Sequence, residues 1–194
     1  MPNDAQTGPG ARVLDAASRL FYEQGFHATG VNQVIDEAGV AKASFYDHFG
    51  SKEQLGVAYL KARDQKWFAA LQDAIDTHER PIERLLAPFE FLETWTAEEN
   101  FRGCAFLNIM SEFPNPEHPI RKQVRLHKER LLDLFHELTR EAFGDRLSDE
   151  DIDRTAHELY FLFEGGTVTS QNFKATWPAE SAHDSAQAVI DRAS

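Results

Sequence analysis

The sequence predicts an all-α fold of about nine helices, a short N-terminal three-helix portion followed by a larger helical one. Three observations lead there. Apolar residues recur at three- and four-residue spacing along most of the chain. No stretch alternates with the period of two that a half-buried strand needs. Gly25, Gly39, Gly50, Gly103, Gly144 and the proline cluster FPNPEHP punctuate the periodic segments. With 194 residues, fifteen Phe and three Trp, the chain has enough apolar surface to build a core.

The first helix is expected over about Arg12–Glu23, where Val13, Ala16, Ala17, Leu20 and Phe21 form one stripe and Gly25 stands where a cap belongs. Residues 1–10, MPNDAQTGPG, read as a disordered lead-in. Thr29 is expected to cap a second helix of about two turns, which Gly39 ends. A third runs from Lys42 to His48 and stops at Gly50, and Ser51 with Gln54 makes a capping box for a long fourth helix reaching about Thr77. Further helices are expected at about Ile82–Ala97, Gly103–Glu112, Pro119–Phe143, Asp149–Ala175 and Ala179–Arg192. Ser148 followed by three acids suits a helix start, because negative charge there complements the helix dipole.

Composition excludes several classes. The longest apolar runs, such as Leu159–Phe163, fall far short of the roughly 20 residues that span a bilayer, so no membrane partner is expected. The N-terminus has no charged region leading into an apolar core, so a cytoplasmic location is expected. Cys104, the single cysteine, forbids an intrachain disulfide. There is no His-Glu-x-x-His, and His118, His127 and His136, nine residues apart, alternate between opposite helix faces; no metal site and no cofactor are expected. A Gly-x-Ser-x-Gly elbow, a phosphate loop and a dinucleotide fingerprint are all missing, so no enzyme is expected. A formal net charge of −12 confines any nucleic-acid contact to a local patch.

The stretch GVAKASFYDHFGSKEQL, from Gly39 to Leu55, supplies such a patch. Residues four apart share a helix face, so Phe45 and Phe49 point to a core while Lys42 and Tyr46 point elsewhere. Beside the second pair lie Ala41, Ala43 and Ser44, small enough to let a backbone approach a groove floor while lysine and phenol reach its walls. With the second helix and the AGVA turn this makes a helix-turn-helix.

From Arg12 to about Leu60, RVLDAASRLFYEQGFHATGVNQVIDEAGVAKASFYDHFGSKEQL resembles the DNA-binding domain of the TetR family of bacterial transcriptional regulators. The resemblance implies a DNA-binding domain over residues 11–50 and a ligand-binding and dimerisation domain over 51–194. It also implies a homodimer on palindromic operator DNA and a small-molecule effector. Carried onto matching positions, it implies a phosphate contact at Thr29 and the start of the second helix, a side chain within reach of DNA at Gln33, and base-facing roles for Ala41, Lys42, Ala43 and Ser44. Tyr46 and His48 fall at groove-wall and phosphate positions, and Lys52 at a backbone anchor. Asp47 should repel phosphate unless it accepts a hydrogen bond from a base, and residues 1–52 hold four basic residues against six acidic, so a modest salt dependence is expected.

For the effector, the aromatic and polar residues of the second part are the candidates: Trp67, Phe68, Phe89, Trp95, Phe106, Asn108, Met110, Glu112, Phe113, His127, Phe161 and Gln171. They suit a small, largely apolar molecule with one polar group. The alternative is redox or electrophile sensing by Cys104, whose thiol a helix N-terminus and Arg102 could activate, against the bland reading of a buried, inert thiol. An enzyme using Cys104 with His127 or His118 and an adaptor without DNA binding are the remaining classes. For the dimer interface the small and apolar band Leu159, Tyr160, Phe163, Gly166, Thr167, Ser170, Ala186, Val189 and Ile190 is expected.

Overall fold

The computed structural model describes residues 8–194, all-helical among them. Nine α-helices follow one another: α1 Pro9–Gln24, α2 Val31–Ala38, α3 Lys42–Phe49, α4 Lys52–Ile75, α5 Pro81–Glu98, α6 Ala105–Met110, α7 Pro119–Phe143, α8 Asp149–Phe173 and α9 Trp177–Ala193. Residues 1–7 of the expected lead-in lie outside the described residues, whereas Pro9 and Gly10 are already helical: proline's fixed φ suits the first helical position. Helix α6 is shorter than expected, because Gly103 sits at φ 78 and holds Cys104 outside the first turn.

Packing divides the chain into two units. The first runs through Lys66 and takes in Ala105–Arg125; the second comprises Trp67–Cys104 and Leu126–Ser194. The division differs from the expected one at residue 50, because α4 and α7 each contribute to both units and α6 belongs with the first.

In the first unit α1 packs on α2 and α3, and Val13, Ala17, Leu20, Phe21, Val34, Phe45, Leu55 and Tyr59 are all buried, the Phe21 ring standing 5.7 Å from that of Tyr59. Ser51 caps α4, its hydroxyl accepting from the Gln54 amide at 3.1 Å. Helix α4 approaches its neighbours closely at Gly56, where a Cβ would lie 2.6 Å from the Phe26 ring and 3.0 Å from Ile120. Gly56→Val is therefore expected to lower stability by about 1–3 kcal/mol through overpacking, read as a lower urea midpoint at unchanged slope.

The second unit is centred on three mutually packed rings, Phe89, Phe135 and Phe163, with centroids 5.8–6.0 Å apart. Helix α8 opens as its acids foretell: Ser148 Oγ accepts from the Asp151 amide at 3.2 Å. No helix of the described residues is long and apolar enough to cross a membrane.

Candidate nucleic-acid interface and buried thiol site

Helix α2 ends at Gly39, at φ 60 and ψ 43, a left-handed conformation that L side chains adopt only with strain; its amide closes the helix onto Asp36 and Ile35 carbonyls. The turn delivers α3 with Phe45 fully buried and Ala41, Lys42, Ala43, Tyr46, Asp47 and His48 exposed. Tyr46 stands edge-on to Phe45 at 5.0 Å, so the core ring steers the phenol outward, and it remains 46% exposed. Ser44 is half-buried. His48 Nδ1 lies 2.7 Å from the Ser44 carbonyl, which can only accept, so Nδ1 carries the proton there. Gln33 is exposed on α2 and donates to Gln24 at 3.0 Å.

Two expected contacts are placed differently. Thr29 is fully buried and does not cap α2, whose N-cap is Gly30. Its hydroxyl instead donates to the carbonyls of Gly25 at 2.8 Å and Leu20 at 3.4 Å, bracing the end of α1. Lys52 opens α4 as expected, but its ammonium lies 4.4 Å over the Phe26 ring; burial lowers its pKa and Glu112 opposes that shift.

Cys104 is buried in a polar cluster of the second unit. Lys128 of α7 donates to its Sγ at 3.6 Å and to Glu164 of α8 at 2.6 Å, and His127 shares a hydrogen bond with the thiol. Burial pushes the thiol up, but the Lys128 charge and the His127 bond outweigh it and bring it down to about 7. Burial likewise lowers Lys128 while Cys104 and Glu164 raise it, with a net rise. Gln171 lies against Gly103, which leaves no room for a Cβ. Sequence reasoning looked to the adjacent Arg102; the activating lysine is 24 residues on, beyond any local signal.

Of the effector candidates, Trp67, Phe68, Trp95 and His127 gather in the second unit: Trp67 meets Phe68, Phe91, Trp95 and His127 edge-on at 5.0–6.0 Å. Phe89 belongs to the ring triad. Phe106, Asn108, Met110, Glu112 and Phe113 fall in the first unit. There Phe113 packs on Phe26 and His27, and the Glu112 carboxylate is taken by the amides of those same two residues. Phe161 is 69% exposed on the surface of α8, not in an interior. Among the described residues no three His, Cys, Asp or Glu cluster as metal ligands would.

The dimer band needs correction too. Leu159, Phe163, Gly166, Thr167, Ser170, Ala186, Val189 and Ile190 are buried within the chain and Tyr160 is half-buried: this stripe packs α8 against α9 and α5. The outward apolar residues are Phe161, Val168, Phe173 and Trp177, and of these Phe161 and Trp177 line a groove of about 260 Å³ with Leu162, Gly165 and Ser181. Helix α8 carries two apolar stripes, and the one with more small residues is the interior one.

An exposed lysine and phenol on a glycine-hinged second helix, set on an all-helical scaffold, define a helix-turn-helix DNA-binding regulator. The family model described as bacterial regulatory proteins, tetR family, matches residues 13–59, and the tetracyclin repressor-like C-terminal domain matches residues 81–186. The chain belongs to the TetR family of transcriptional regulators, whose members bind DNA and act as dimers. It is similar to the uncharacterised regulator YxaF of Bacillus subtilis, 36% identical over 169 residues covering 86% of this chain and 87% of that one. Over 85 residues it is 36% identical to the repressor KstR2 of Mycobacterium tuberculosis, 42% of each chain. The crystal structure of the TetR-family regulator SCO4454 from Streptomyces coelicolor superposes with a TM-score of 0.87 at 29% identity, covering 95% of both chains.

Proposed function

We propose that this chain is a ligand-responsive repressor that binds palindromic operator DNA in the cytoplasm as a homodimer and lets go when a small, largely apolar effector binds. The observation that carries it is the exposure of Lys42 and Tyr46 on α3 above a buried Phe45. One short helix reads a few base pairs, and a two-fold partner supplies the second half-site one turn, about 34 Å, along the duplex. The outward stripe of α8 and α9 supports a self-complementary interface. KstR2, named a repressor, supports that sense of regulation. A mobility shift with DNA upstream of the chain's own gene tests the reading. Binding is expected, with Lys42→Ala weaker by about tenfold across sequences and with a shallower salt dependence. Equal binding by the variant would overturn it.

The aromatic cluster around Trp67 supports an apolar effector, and a fluorescence titration with a ligand panel should then saturate. A second reading is favoured by the Cys104 geometry: the thiolate beside Lys128 attacks an oxidant or soft electrophile. With peroxide the sulfur takes one oxygen and hydroxide leaves, giving the sulfenic acid. Mass spectrometry after mild peroxide should show a 16-Da adduct at residue 104 that Cys104→Ser lacks, a mass fixed by that single oxygen.

A further inference from the structure

The segment joining α6 to α7 grips the turn between α1 and α2. Glu112 accepts the Phe26 amide on Oε1 at 2.8 Å and the His27 amide on Oε2 at 2.6 Å. Its own carbonyl lies 3.0 Å from His27 Nε2, which must donate there. Phe113 adds ring contacts to Phe26 at 5.1 Å and His27 at 4.9 Å. Two carboxylate oxygens on consecutive amides form a charge-assisted, two-point hold that resists rotation, unlike a single bond. The held turn leads straight into α2, and Thr29, two residues on, ties the same turn back to α1 through Gly25. The turn that enters α2 is thereby held from a segment that is distant in sequence.

His27 is exposed and Glu112 half-buried, so water can replace these bonds at modest cost to the fold. What water cannot replace is the fixed direction of the turn, and preorganised geometry is what a rigid reading head gains from it. Glu112 also lies in the same short stretch as Cys104, which ends the second unit just before α6 opens in the first.

We propose that Glu112, in the segment that follows α6, is a positioning residue for the DNA-reading helices, its carboxylate holding the α1–α2 turn in the DNA-competent geometry. The proposal rests on the reading of α3 as the DNA-contacting helix.

The test measures three things on Glu112→Ala and Glu112→Gln: affinity for the upstream fragment, amide exchange at Phe26 and His27, and the urea midpoint. Glutamine offers one acceptor oxygen and turns an N–H against the second amide, so it keeps half of the hold. Expected are faster exchange at both amides and affinity lower by about tenfold for alanine and by less for glutamine, at a midpoint close to wild type. Wild-type affinity in Glu112→Ala with accelerated exchange overturns the proposal, as does an affinity loss that only tracks the unfolded fraction. Should the alanine variant fail to fold, the glutamine variant decides by the same criteria. Failure of the underlying reading looks different: wild type would not bind the fragment, or Lys42→Ala would bind it equally well.

Discussion

Aspartate at both Phe161 and Phe173 is expected to turn the dimer into a monomer and to weaken operator binding by at least about a hundredfold. Both rings are more than half exposed on the chain itself, so the fold has no need of them and helical content should be unchanged. A two-fold interface doubles every substitution: two aspartates per chain put four carboxylates into one apolar patch, where each must be desolvated without a partner. Losing the partner subunit removes the second α3, and with it the avidity worth two to four powers of ten when both half-sites are held. Sedimentation equilibrium reads the first effect and fluorescence anisotropy the second. Tyr46→Asp is the control, because it should abolish DNA binding in a chain that still dimerises. A double variant that remains dimeric would move the interface elsewhere.

That prediction rests on a stripe the sequence could not single out. Periodicity finds the apolar residues of α8, but a helix with two apolar faces does not say which meets its own chain. The choice of Leu159, Phe163 and Gly166 took the interior face, because small residues mark close helix packing of either kind. Local signals fared well: the capping of α4 by Ser51, the opening of α8 at Ser148 and the bounds Pro119–Phe143 of α7 are all written in short-range chemistry. Phe45 in and Lys42 and Tyr46 out likewise follow from one turn of helix. What stayed hidden joins distant residues. Thr29 looks like a cap until Leu20 and Gly25 offer it carbonyls, and Glu112 looks like a ligand for an effector until the Phe26 and His27 amides claim it. Lys128 carries no mark in the sequence of its bond to Cys104.

That last pair sets the second large effect. Native-state alkylation of Cys104 by iodoacetamide should rise with pH through an inflection at about 7, and Lys128→Met should move the inflection upward, since only His127 then opposes burial and Glu164. At pH 7 the thiolate fraction would fall from about half to a minor share, and the alkylation rate would fall with it. Glu164→Gln should act in the opposite direction: Glu164 raises the thiol, so its neutral replacement leaves the lysine free to favour the thiolate further. Stability carries the same signature. The folded chain releases this proton more readily than the unfolded one, so the stabilisation is complete above about pH 9 and is lost as pH falls through about 7. Between those limits it grows steadily with pH. Urea midpoints of the wild type should therefore climb across that window while those of Lys128→Met do not. A flat wild-type profile, or an inflection near 9 in both chains, would mean that the ammonium does not hold the thiolate, and oxidant sensing at Cys104 would lose its chemical basis.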